Sequence, residues 1–153
     1  MLPNHMKQKK RFSPGTGKFR LTKGNAPVIL ISDLHLTPEA PETFVHFRRF
    51  LDSLQNIDSL YILGDLFEYW LGDDAADTLG HSPVEKALKN LTNNGTPVCV
   101  MPGNRDFLLD EEFAYRTGST ILKEATVQSF FGRQVLLLHG DSLCTDDEAH
   151  RKF

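Results

Sequence analysis

The sequence predicts an α/β domain, and three observations carry that expectation. Short apolar runs recur at Val28–Ile31, 60–63, Val98–Met101 and 135–138, each with the length and branched composition of a strand buried on both faces. Segments with apolar residues at helical spacing separate the first three runs. Each run leads directly to a side chain able to bind a metal, at the carboxyl end of a strand where ligands collect in open α/β sheets.

In chain order, the first run leads into Ser32-Asp33-Leu34-His35. Pro41 then opens a helix, its fixed φ suiting the first turn, and Phe44, Phe47, Leu51 and Leu54 share one face. The second run meets Gly64-Asp65. Ser82-Pro83-Val84-Glu85 has the form of a capping box, with Val84, Ala87, Leu88 and Leu91 as the buried stripe and Gly95 as the stop. The third run passes through Pro102 into Gly103-Asn104-Arg105-Asp106. A helix over 109–115 ends near Gly118. Segments 120–123, 125–130 and 134–139 are strand-like, with Phe131-Gly132-Arg133 as a hairpin turn, so the later part turns antiparallel. The fourth run ends at His139-Gly140-Asp141, and the residues from Asp146 to Phe153 read as the start of another helix.

A length of 153 residues suits one domain with a sizeable core. The net charge of −3 conceals an asymmetry. Residues 1–25 hold seven Lys or Arg and no acid, leaving ten basic against twenty acidic residues in the rest. That division predicts a disordered basic leader over 1–25 and a domain over 26–153. The leader reads first as a solvated extension, or as the product of an upstream start with Met6 as another candidate, and second as a tail drawn to anionic lipid. An acidic body with clustered ligands points to cations and away from nucleic acid. No protein partner is indicated. No apolar stretch is long enough for a membrane span, and the leader lacks the apolar core of a secretory signal. Cys99 and Cys144 lack metal-type spacing and fit a reducing compartment, which predicts a cytoplasmic protein.

Asp33 and His35 lie two apart, so an extended strand end would aim both at one ion. Asp65, after the flexible Gly64, is placed to bridge two cations with one oxygen to each. Asn104 offers a carbonyl oxygen and His139 an imidazole nitrogen. Oxygen and nitrogen ligation without thiolate suits Mn²⁺, Fe²⁺ or Zn²⁺ in a catalytic site. Two such ions clamp a phosphate and acidify a bound water, while Arg105 neutralises the non-bridging oxygens. Asp106 and Asp141 are candidates to orient ligands. Blander expectations attach to the rest: Phe67, Tyr69, Trp70 and Leu71 for the most part as local core, with lining of an apolar groove as the alternative for all four, Asp73 and Asp74 as solvated acids with a ligand-orienting role as the alternative, and His46 and His81 on the surface.

The ordered set Asp-x-His, Gly-Asp, Gly-Asn and His-Gly resembles the calcineurin-like metallophosphoesterases. The longer segments from Gly64 to Asp74, from Gly103 to Leu108 and from His139 to Asp147 resemble the UDP-2,3-diacylglucosamine hydrolase family of lipid A biosynthesis. The resemblance implies a four-layer α/β/β/α sandwich, of which this chain holds the N-terminal portion. It implies cleavage of a nucleotide-linked lipid to UMP and 2,3-diacylglucosamine 1-phosphate, with two Mn²⁺ ions, by a peripheral protein on the cytoplasmic face of the bacterial inner membrane. Asp33 and His35 would then hold the first ion, Asp65 would bridge, and Asn104 and His139 would hold the second. Asn104, Arg105 and Asp147 would face the substrate. The family's lid and its Gly-x-His-x-His segment do not occur in these 153 residues, and His150 stands where Tyr is expected. The domain therefore reads as incomplete at its C-terminus. Another phosphodiesterase or phosphatase of the superfamily, and an inactive remnant, are the alternative readings.

Overall fold

The computed structural model describes residues 26–73 and 79–143. The basic leader, Asp74, Cys144, Asp147 and the helix expected from Asp146 lie outside the described residues. Strands β1 (Val28–Ile31), β2 (Ser59–Leu63), β3 (Val98–Met101) and β4 (Thr120–Ile121) form a parallel sheet in that order. Helices α1 (Pro41–Ser53), α2 (Ser82–Asn93) and α3 (Glu111–Thr117) make the successive crossovers. Strands β5 (Thr126–Phe130) and β6 (Arg133–Leu137) pair as an antiparallel hairpin.

Alternation along the strands sorts the core into two clusters. Ile29, Ile31, Leu60, Ile62, Val98 and Val100 face the helices, meeting Phe47 and Leu51 of α1, Val84, Leu88 and Leu91 of α2, and Phe113 of α3. Tyr61, Leu63, Cys99 and Met101 face the other way, against Leu122, Phe130, Val135 and Leu137. The described residues thus stack helices on a parallel sheet and that sheet on a hairpin. Full burial of one such side chain is worth about 1.5–3 kcal/mol. β2 and β3, buried almost throughout, are therefore the rigid platform from which the loops at 64–68 and 103–106 project.

Four expectations change. Segment 120–123 does not join the antiparallel strands: β4 pairs parallel to β3, because α3 carries the chain back before it re-enters the sheet. Burial on both faces holds for β2 and β3 but not for β1, where Leu30 is 45% exposed at the sheet edge, nor for β6, where Leu136 is 51% exposed. His81, at the N-cap of α2, makes no side-chain cap bond, and Glu85 of the expected box turns to Arg116 of α3, with Oε1 accepting from Nη2 at 2.7 Å and Nε at 3.0 Å. The expected helix over 109–115 begins two residues later, after Leu109 has packed into the core.

His81 is the largest departure from its sequence reading. It is fully buried, with ring centroids 4.6 Å from Phe67, 5.2 Å from Trp70 and 5.5 Å from Tyr69. Burial pushes its pKa down from 6.5, and Glu39 opposes that shift. The unfolded chain then binds more protons than the folded one below 6.5, so stability falls as the pH drops through that value. His81→Phe should flatten this limb of a pH-dependent denaturation curve between pH 7 and 5. An unchanged slope would show that His81 does not govern it.

Candidate metal centre

The loops after β1 and β2 are laced together before any side chain is considered. Asp33 N–H donates to Gly64 O at 3.2 Å, Leu34 and His35 N–H both donate to Asp65 O, at 2.9 and 3.0 Å, and Leu36 N–H donates to Leu66 O at 2.9 Å. Asp33, His35 and Asp65 all have φ between +49° and +56°, a left-handed conformation that side chains disfavour. Left-handed turns beyond the end of β1, rather than the expected extended alternation, bring Asp33 and His35 together. Such strain persists only where the surroundings over-determine it, and it clusters at functional sites. Asn104 does not share the conformation among the described residues.

One potential ligand atom from each of Asp33, His35 and Asp65 lies within 4.8 Å of the others. Asp65 Oδ2 is 3.9 Å from His35 Nε2 and 3.7 Å from His139 Nε2. His139 Nε2 is in turn 3.4 Å from Asn104 Oδ1. Four of the sequence-predicted residues, Asp33, His35, His139 and Asn104, therefore gather around the largely buried fifth, Asp65. Its other oxygen, Oδ1, accepts the Arg105 N–H at 2.9 Å. Oδ2 is the oxygen that lies within 4 Å of both imidazoles.

His139 is oriented for ligation. His139 Nδ1 lies 2.9 Å from Leu63 O, and because a carbonyl only accepts, Nδ1 carries a proton, so that in the neutral ring the lone pair is on Nε2, toward Asp65. Burial opposes charge on His139, yet its pKa is raised, because the Leu63 carbonyl and the carboxylates of Asp65, Asp141 and Asp33 outweigh burial. An excess of carboxylate oxygen around two imidazoles fits a divalent cation. Two glycines permit the approach. A Cβ on Gly64 would overlap the His139 ring, and one on Gly103 would overlap Asp65 Oδ1.

Sequence reasoning left out Glu68 as an individual residue. Its Oε2 lies 2.9 Å from His35 Nδ1 and its Oε1 lies 3.2 Å from Arg105 Nη1, so it spans the metal side and the arginine. The available signal was its place three residues after Asp65, on the same projecting loop. Asp73 is not merely solvated: it accepts from Trp70 Nε1 at 2.9 Å and from Phe113 N–H at 2.7 Å, fixing the loop to α3. Phe67 and Trp70 are core, as expected, whereas Leu71 is 64% exposed.

The model of the calcineurin-like phosphoesterase family matches residues 26–152. The chain belongs to that family. Within it, the chain is 50% identical over 126 residues to a UDP-2,3-diacylglucosamine hydrolase of Stenotrophomonas maltophilia (strain R551-3), an alignment covering 82% of this chain and 50% of the relative. Hydrolases of the same name from Pseudomonas fluorescens (strain Pf0-1) and Escherichia coli O81 (strain ED1a) are 47% and 46% identical; each alignment covers 82% of this chain and 51% and 52% of the relative. The chain spans about half the length of these curated relatives. The family match agrees with the α/β/β/α fold class read from the sequence, and the phosphoesterase domain contributes its candidate metal-binding triad Asp33, His35 and Asp65. Among the described residues, no helix is long and apolar enough to cross a membrane.

Proposed function

We propose that this chain carries the metal centre of a pyrophosphohydrolase that cleaves UDP-2,3-diacylglucosamine to UMP and 2,3-diacylglucosamine 1-phosphate. The observation that carries the reading is Asp65 Oδ2, set between two imidazole nitrogens at 3.9 and 3.7 Å on the loops of a phosphoesterase domain. The substrate comes from the name of the relatives, which share up to 50% identity with this chain.

In this reading Asp33 and His35 would hold one ion, Asn104 and His139 would hold the other, and Asp65 would be shared by both. Two Mn²⁺ ions suit this mixed oxygen and nitrogen set. When bound, the ions supply Lewis-acid polarisation of phosphoryl oxygens and a water acidic enough to attack near neutral pH. The chain's own residues do the rest. Glu68, which also lies beside His35, pairs with the exposed Arg105 guanidinium, whose planar fork would take up phosphate oxygens that gain charge as the bond breaks. Asn104 adds its amide to the same phosphate, and Asp147 contributes to substrate binding. Leu71, Phe107, Leu108 and Leu143, between 45% and 67% exposed, lie on loops following these motifs and give a lipid-linked substrate apolar surface. The protein then works in the cytoplasm, peripherally on the inner membrane, with the basic leader over 1–25 drawn to anionic headgroups.

The test joins this chain to the C-terminal half of the Stenotrophomonas relative and follows UMP release from UDP-2,3-diacylglucosamine. Manganese-dependent release that Asp65→Ala abolishes is the expected result. A fusion that folds, binds two ions and hydrolyses bis(p-nitrophenyl) phosphate but releases no UMP would make it a phosphodiesterase of different specificity.

A further inference from the structure

We infer that Asp106 is a positioning residue, whose buried carboxylate clamps the loop carrying Asp65 to the loop carrying Asn104 and so sets the distance across the metal centre. The inference rests on the reading of Asp65 and Asn104 as metal ligands. Asp106 is fully buried. Its Oδ2 accepts from Leu66 N–H at 2.8 Å and Phe67 N–H at 3.2 Å, on the loop after β2. Its Oδ1 accepts from Gly103 N–H at 2.7 Å, on its own loop after β3. Asp65 answers in the opposite direction, since its Oδ1 accepts the Arg105 N–H at 2.9 Å. Each loop therefore lends a carboxylate to the backbone of the other.

The chemistry requires a carboxylate. Three N–H donors converge on two oxygens, and an ionised carboxylate is an acceptor without a hydrogen of its own. An asparagine would turn its NH₂ group toward at least one of those donors and open the clamp there. Burial penalises the charge, so this group is retained where the converging donors compensate it. The consequence falls on Asp65. With the N–H groups of Leu66 and Phe67 pinned by Asp106, and its own Oδ1 pinned by Arg105 N–H, the remaining freedom of Oδ2 is small. Gly103, which a Cβ would drive into Asp65, is held at that close approach by the same Asp106 Oδ1.

The test uses the 153-residue chain and Mn²⁺ as the probe, titrated by calorimetry. Asp106→Asn should keep the wild-type circular dichroism and weaken Mn²⁺ binding by about 10- to 100-fold, the usual effect of losing an outer-sphere partner. Glu85→Gln serves as the control, because it breaks a buried ion pair to Arg116 between α2 and α3. It should lower the melting temperature and leave Mn²⁺ affinity unchanged. Equal affinity in wild type and Asp106→Asn overturns the inference, as does an equal loss in Glu85→Gln. Should Asp106→Asn not fold, amide exchange in the wild type decides. The N–H groups of Leu66, Phe67 and Gly103 should exchange more slowly as Mn²⁺ saturates, because a ligand that binds only the closed loops stabilises them. Unchanged exchange overturns the inference alone. A wild-type chain that holds no Mn²⁺ at all overturns the metal-centre reading and this inference with it.

Discussion

Asp65→Asn is expected to fold like the wild type and to lose manganese binding by more than about 100-fold. Loss of an outer-sphere partner already costs about 10- to 100-fold in metal affinity. In the proposed two-ion centre Asp65 stands nearer than that, with Oδ2 within 4 Å of the imidazoles of both His35 and His139, so its removal should weaken both proposed ion positions together. The asparagine can still offer a carbonyl oxygen to Arg105 N–H, which preserves the bond between the two loops. Asp65→Ala removes that acceptor as well. It should therefore show the same loss of manganese and, in addition, a stability lower by roughly 1–3 kcal/mol for the unsatisfied N–H. Calorimetric titration measures the first effect and denaturant unfolding the second. Tight binding of two ions by Asp65→Asn would refute the bridging role.

Much of the fold could be read in advance where two independent patterns agreed. Branched apolar runs marked β2 and β3, and Pro41 with Phe47 and Leu51 four apart marked α1, because burial and backbone preference act on the same residues there. Direction of pairing was less legible. Thr120–Ile121 is a two-residue edge pairing, and its alternation is the same in a parallel or an antiparallel ladder. Only α3 preceding it decides the matter. The five converging residues were visible because each follows a strand, yet the manner of convergence was not. Left-handed φ at Asp33 and His35 is imposed by hydrogen bonds to Gly64 and Asp65, some thirty residues away in the chain. His81 was misread for a related reason. Its neighbours Phe67, Tyr69 and Trp70 come from a different loop, so no local period announces its burial. Glu68 and Asp73 resemble ordinary solvated acids until their partners across the loops are known.

Substituting the two glycines should separate the two ion positions proposed to share Asp65. Gly64 has φ of +91° and sits under the His139 ring, so Gly64→Ala strains the backbone and displaces that imidazole. Strain of this kind costs of order 1–3 kcal/mol. The displaced ring also gives up the bond from Nδ1 to Leu63 O that orients its lone pair. The loss falls on the side built from His139 and Asn104, while Asp33, His35 and Asp65 keep their mutual approach. Gly103→Ala acts elsewhere: its Cβ would strike Asp65 Oδ1 and the Asp65 backbone nitrogen, moving the carboxylate shared by both positions. Manganese titrations followed by electron paramagnetic resonance should therefore show one ion retained in Gly64→Ala and neither held tightly in Gly103→Ala. Equal losses in the two variants would mean that the centre collapses as a unit, and that His139 and the Asp33–His35 pair do not serve distinct ions.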